Sequence, residues 1–222
     1  MCGRYTAIQL SLFGDDIDIP GNIPPRYNIA PTQDVAVITN ATADGGRRVE
    51  FQRWGLIPSW AKDPKIGSRM INARSETLSE KPSFRNAYKR RRCLILADGY
   101  YEWVGVPGQP TKQPVYIRFK SQSPFAFAGL WEEWFNKDID ESIRSCTIIT
   151  CPPNSMLERI HHRMPVILPA DTHEQWLDPG EQKLETLQQL LQPYSGDEME
   201  AYAVSTFVNS PKNDSPECIV PQ

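Results

Sequence analysis

No stretch of this 222-residue chain approaches the ~20 consecutive apolar residues that a bilayer-spanning helix needs. The amino terminus, Met1-Cys2-Gly3-Arg4-Tyr5, lacks the basic-then-apolar run of a secretory signal. The expectation is therefore a cytoplasmic protein with no membrane contact. Cysteine is sparse. The five present make an odd count, form no Cys-x-x-Cys pair, and have no histidine pair at finger spacing after Cys146 and Cys151. They read as reduced thiols, which excludes a disulfide framework and a structural zinc site. A phosphate-binding glycine loop is missing too, so no metal and no cofactor is expected. Positive charge is also short. A formal net charge of −3 argues against a uniformly basic nucleic-acid binder, but it allows a small basic cleft on an acidic body. No repeat, low-complexity tract or long linker divides the chain, and one domain over residues 1–222 is expected.

Hydrophobic residues at 40% and charged residues at 23% are the balance of an ordinary globular protein. Proline is abundant, at 20 residues, close to twice the average usage of ~5%. Proline breaks helices and central strands, which predicts short elements and many loops. Strands are predicted over 35–39 and 48–54, joined as a hairpin through Asp44-Gly45-Gly46. Alternation in the second places Val49 and Phe51 on one face and Glu50 and Gln52 on the other. Further strands are predicted over 93–97, 100–104, 115–119, 125–131, 143–151, 164–168 and 201–204, with a turn at Asp98-Gly99. Helices are predicted over 83–89, 154–160, 172–177 and 180–192, the last with Leu184, Leu187 and Leu191 on one face. Lys89–Arg92 reads as a solvated helix end. The fold class is α+β, with mainly antiparallel strands forming a barrel-like or paired-sheet core and short peripheral helices.

Four segments could carry chemistry. Removal of Met1 would leave Cys2 with an α-amine, of pKa about 8, and a thiol on adjacent carbons. Such a 1,2-aminothiol can condense with an aldehyde to an imine, and the thiol can then close a thiazolidine ring. No internal cysteine can do this. Position alone also allows Cys2 to be an incidental neighbour of the initiator. In Asp98-Gly99-Tyr100-Tyr101-Glu102-Trp103, a carboxylate between aromatics can be desolvated and its pKa raised toward a range useful for proton transfer. A strand-edge glutamate facing water is the other reading. Ile160-His161-His162-Arg163-Met164-Pro165 supplies two of the three histidines. Neighbours on a helix or strand point apart, so one of the two is expected in the site and the other elsewhere. Trp54-Gly55-Leu56-Ile57-Pro58-Ser59-Trp60 and Ile71-Asn72-Ala73-Arg74-Ser75-Glu76 combine tryptophan with arginine, which suits base stacking and phosphate pairing. Both tryptophans could equally be core.

These segments, with Arg26-Tyr27-Asn28-Ile29-Ala30-Pro31-Thr32 and the tail from Val204 to Pro221, keep one order over nearly the whole chain. Together they resemble the SRAP family, named for SOS-response-associated peptidase. The resemblance implies that Cys2 forms a thiazolidine with the ring-opened sugar of an abasic site in single-stranded DNA. It implies that Asn72 contacts the adduct, that Glu102 assists ring opening and proton transfer, and that His161 helps imine formation. Arg4, Arg74 and Arg163 match DNA-contacting arginines. Asn28, Pro31, Trp60 and Thr150 fall where the family lines the DNA path. Some members carry two adjacent tryptophans where this chain has Trp60-Ala61, which alters base stacking here. Such chemistry requires Cys2, Asn72, Glu102 and His161 to converge, with Cys2 at the surface of a cleft. A monomer is expected. Two other readings use the same residues: an amino-terminal-cysteine peptidase that removes Met1, and a noncatalytic reader of modified bases.

Overall fold

The computed structural model describes residues 2–10, 23–39, 49–136, 140–180 and 182–222. The described strands are β1 (Tyr5–Ala7), β2 (Arg26–Ile29), β3 (Asp34–Ile38), β4 (Val49–Trp54), β5 (Asn72–Arg74), β6 (Arg92–Ala97) and β7 (Gly99–Val104). They continue with β8 (Gln113–Phe119), β9 (Phe125–Asn136), β10 (Glu141–Cys151), β11 (Met164–Pro165), β12 (Ile167–Leu168) and β13 (Met199–Ala203). Three short helices accompany them: α1 (Arg85–Arg90), α2 (His173–Leu177) and α3 (Leu184–Gln189).

Five strands close into a barrel in the order β10-β4-β3-β6-β9, with β9 returning to β10. Each pairing is antiparallel except β10 with β4. Closure depends on the length of β9, which pairs β6 through Phe125–Leu130 and β10 from Gly129 onward. Gly129 sits where the two pairings overlap. A Cβ there would lie 2.8 Å from Cys93 Sγ and 2.9 Å from Ile95 Cδ1, so only glycine fits. Strands β5 and β11 add to β10, and β12 adds to β9. The second layer is an antiparallel sheet in the order β13-β8-β7-β1-β2. The α+β expectation, with a barrel as its core, is the architecture found.

Apolar strand bodies explain the barrel. Every residue of β6 is buried, as are the first six of β9 and the last seven of β10. A second, smaller core on the outer face of the sheet joins Tyr101 and Tyr116 to Val204, Val208 and Cys218 of the tail. At the corner between barrel and sheet, Asp98 accepts from Thr6 Oγ1 (2.5 Å) and from the backbone N–H groups of Ile8 (2.5 Å) and Gln9 (2.9 Å). This fixes β1 against β7.

Several expectations need correction. Alternation along β4 holds in its regular register with β3, but Phe51 is 52% exposed while Gln52, on the polar-looking face, is 1% exposed. Trp54 sets the parity: it is fully buried, and its indole N–H donates to Ile71 O over 2.9 Å. Residues 155–160 form two isolated turns rather than a helix, closed onto the carbonyls of Asn154 and Leu157. Residues 164–168 split at Val166. Its N–H donates to Ile149 O on β10 and its carbonyl accepts from Ala128 N on β9, both over 2.9 Å, so the chain changes partner there. The 180–192 helix is the shorter α3. Arg92 is not solvated; it is 2% exposed and donates to the carbonyls of Tyr88, Lys89, Trp176 and Asp178, joining the ends of α1 and α2. Strands β1, β2 and β5 were not predicted. The expected turn at residues 44–46 lies outside the described residues.

Candidate active site

The carboxyl end of β10 is where the candidate residues gather. Thr150 pairs with Arg74 of β5 on one side and with Pro165 of β11 on the other. The parallel register of β5 continues through Ile148 opposite Asn72. Asn72 then reaches the amino-terminal segment directly: its side-chain N–H donates to Cys2 O over 2.8 Å. That segment runs beside β7. Tyr5 is opposite Tyr100, and Tyr101 N donates to Arg4 O over 3.0 Å, which keeps residues 2–4 alongside Glu102.

Cys2 is fully buried, not at a cleft surface as expected. It packs into the main core, and its thiol points to Arg4 O at 3.8 Å. Burial pushes the thiol well above its ordinary value, and the charge of Glu102 adds to this. Tyr5 and Tyr100 are raised by burial, and both sense charge on Cys2. Glu102 is 4% exposed, and burial raises its carboxyl above the usual range; His162 and Lys112 pull in the other direction.

His161 is held by the backbone two residues on. Arg163 N–H donates to Nδ1 over 3.0 Å, and Arg163 O lies 3.1 Å from the same nitrogen. These two backbone groups fix the orientation of the ring, since Nδ1 can accept from one or donate to the other. Burial lowers its pKa, and the nearby Lys112 ammonium lowers it further. His162 does not point elsewhere. The two rings stack with centroids 4.3 Å apart and planes 26° apart. They do so because the residues sit in an irregular turn, outside any helix or strand.

The expected DNA contacts divide into two groups. Trp60 (58% exposed) and Arg74 face solvent, and Pro31 is half-buried. The others are committed within the protein. Arg163 is bidentate to Glu76 (2.5 and 2.9 Å) and donates to Thr150 O over 2.5 Å. Thr150 is fully buried beneath it. Arg4 donates to Asn28 Oδ1 (2.8 Å), Val208 O (3.0 Å) and Asn209 O (3.3 Å). Asn28 is also fully buried. Its amide donates to Val208 O, Ser210 O and Asn213 O, while Asp214 accepts from the backbone of Tyr27 and Asn28. Arg4 and Asn28 therefore form a clamp that fastens the tail beside Cys2. Lys112, at the end of the loop before β8, was missed in the sequence; its charge reaches both Glu102 and His161, and no local pattern marks it.

The family model for SOS response associated peptidase (SRAP) matches residues 1–211. The chain belongs to the SRAP family. Among SRAP relatives, the abasic site processing protein YoqW of Bacillus subtilis is 50% identical over 226 residues, covering 99% of both chains. The abasic site processing protein HMCES of Gallus gallus is 35% identical over 230 residues, covering 90% of this chain and 67% of its own length. A crystal structure of a Bacteroides thetaiotaomicron protein shares the SRAP fold with a TM-score of 0.78 at 32% identity, covering 88% of this chain and 84% of that one. One from Bordetella bronchiseptica gives 0.77 at 27% identity, covering 92% and 100%. Among the described residues of this SRAP chain no helix is long and apolar enough to cross a membrane.

Proposed function

We propose that this protein processes abasic sites in single-stranded DNA by cross-linking them covalently to Cys2. The observation that carries the reading is the tether from Asn72 to Cys2 O, which holds that residue beside a buried Glu102 whose carboxyl is raised by burial. The names of the relatives support the substrate class. Removal of Met1 supplies the α-amine.

An abasic sugar in water is mostly a closed hemiacetal. Glu102, whose burial favours the protonated carboxyl, donates to the ring oxygen as the C1′ hydroxyl loses its proton, which gives the free aldehyde. The Cys2 amine adds to that carbon. Water leaves with a proton from Glu102 or His161, forming the imine. The Cys2 thiol then adds to the imine carbon and its proton passes to nitrogen. The product is a five-membered thiazolidine, and the balance is aldehyde plus aminothiol giving ring plus water. Cys2 begins as a neutral thiol, because its burial disfavours the thiolate. His161 contributes an imidazole whose orientation is fixed by the Arg163 backbone. With no free aldehyde left, the strand is protected from β-elimination.

Incubation with an abasic single-stranded oligonucleotide, resolved on a denaturing gel, tests this. A heat-stable band of protein plus DNA is expected, and mass spectrometry should show loss of Met1 and one water. Release of Met1 with no such band would leave the peptidase reading.

A further inference from the structure

The groups around Cys2 are assembled by the protein alone. Asn72 of β5 donates to Cys2 O over 2.8 Å. Tyr101 N donates to Arg4 O over 3.0 Å, which lays residues 2–4 along β7, the strand that carries Glu102. The His161 ring is oriented by the backbone of Arg163, at 3.0 and 3.1 Å from Nδ1. All of these partners are protein atoms. Among the described residues the Cys2 sulfur has one hydrogen-bond acceptor, Arg4 O, and at 3.8 Å that contact is long.

The chemistry likewise concerns a single carbon of the substrate. The Cys2 amine adds to an aldehyde carbon, and water leaves as the imine forms. The thiol sulfur then adds to the imine carbon while its proton passes to nitrogen. No base, phosphodiester or second nucleotide takes part. DNA contributes binding energy, and a smaller anion can contribute it too.

The site offers the charge for such binding. Lys112 ends the loop before β8, whose Val115 lies opposite Glu102, and its charge is felt at Glu102 and His161. Arg74 lies opposite Thr150 of β10, and its charge is felt at His162. Both cations are exposed, and neither has a carboxylate partner among the described residues. Of the two carboxylates at the site, Glu102 is buried, which favours its neutral form, and Glu76 is occupied by Arg163. The approach to Cys2 is therefore positive, on a chain whose net charge is −3. Cys2 is 0% exposed, which favours a short reactant.

We infer that the Cys2 site also captures free short-chain aldehydes that carry a phosphate, with Lys112 and Arg74 taking the phosphate and the thiazolidine closing on the aldehyde carbon. One aldehyde and the aminothiol give the ring and one water. The inference rests on the proposed function for its chemistry and extends it to molecules outside DNA. A capped Cys2 has no primary amine and no thiol left for an abasic site, so such aldehydes compete with the lesion.

The test uses protein whose intact mass shows loss of Met1. The probes are glyceraldehyde 3-phosphate and glyceraldehyde, and the peptide Cys-Gly-Arg-Tyr is the reference. The readout is the gain in mass of one aldehyde less one water, followed in time. The protein should capture glyceraldehyde 3-phosphate about 10²-fold faster than the peptide does, the lower end of what positioned proton-transfer groups contribute. It should prefer the phosphorylated aldehyde by roughly tenfold at low salt, since each nearby cation contributes up to about fivefold in water and less once screened. Lys112→Ala/Arg74→Ala should lose most of that preference, with unchanged thermal melting. Capture within twofold of the peptide's rate, or equal rates with the two aldehydes, overturns the inference and leaves the proposed function standing if the same preparation cross-links abasic DNA. Fast capture of the free aldehyde by a protein that forms no adduct with abasic DNA overturns the cross-linking reading instead.

Discussion

Asn72 holds Cys2 by its carbonyl, at 2.8 Å, across a sequence separation of 70 residues. The contact fixes the backbone of Cys2 through its carbonyl and engages neither its nitrogen nor its sulfur. Asn72→Ala should therefore reduce the rate of adduct formation by about 10²-fold, the cost of misplacing a reacting group by roughly an ångström. Noncovalent DNA affinity should be little changed. Single-turnover rates on a denaturing gel decide; a rate within twofold of wild type would remove the tether from the mechanism.

Cys2→Ser keeps the amine but replaces the thiol with a poor ring-closing nucleophile. The heat-stable adduct should disappear, while borohydride should still trap an imine. A stable adduct in full yield from the serine variant contradicts ring closure through sulfur.

Glu102→Gln preserves shape and removes the proton. Formation and reversal of the adduct should both slow by ~10²–10⁴-fold. The same variant has a stability signature. Because burial raises the Glu102 carboxyl above its ordinary value, the folded state binds more protons than the unfolded state in the window just above the usual carboxylate range. Stability contributed by the wild-type residue therefore falls as pH rises through that window. The melting temperature of Glu102→Gln should gain on wild type from acid toward neutral pH. A constant difference would show that the carboxyl is not raised.

His162→Phe keeps an aromatic ring against His161 and removes a charge. Two imidazoles with centroids 4.3 Å apart resist double protonation, and His162 is itself lowered, first by His161. His161 therefore takes its proton while His162 is still neutral, so its titration should not depend on His162. The acid limb of the pH–rate profile should stay in place in the variant. A limb that moves would show that His162 carries charge when His161 titrates.

Glu76→Gln tests the pair with Arg163. The hydrogen bond from Arg163 holds the Glu76 carboxyl below its usual value. A depressed carboxylate stabilises the fold above its unfolded pKa and loses that contribution as pH falls through the folded value. The variant should melt below wild type at neutral pH and converge with it in acid. Its noncovalent DNA affinity should rise, since the arginine no longer faces a carboxylate. Lower affinity would mean that Glu76 orients Arg163 for DNA.

The barrel was legible because its strands are apolar runs of ordinary length, as in β6 and the first half of β9. Strand β5 was not, because Asn72-Ala73-Arg74 has no strand-like composition and is held by register with β10. Phe51 and Gln52 misled because periodicity cannot tell which of the two faces of a strand the core will take, and here Trp54 carries Gln52 inward with it. The side-chain identities of the candidate site were readable from motif order. Their commitments were not: nothing in Arg4 or Asn28 announces carbonyl partners some 180 to 200 residues later. The stacking of His161 on His162 was likewise hidden, since the expectation of divergence assumed regular backbone.

The clamp of Arg4 and Asn28 on Val208 also has a temporal side. Arg4 leaves the ribosome 204 residues before its acceptor, a delay of roughly 10–40 s at ~5–20 residues per second. Through that interval the nascent end lacks the tail that later fastens it. By the reading proposed above, this is when a methionine aminopeptidase can reach Met1. Once synthesis ends and the tail docks, Cys2 is enclosed at 0% exposure, and a chain that missed this processing would carry its blocked cysteine into the folded state. On the proposed reading, the order of synthesis places the arming of the aminothiol before the tail docks.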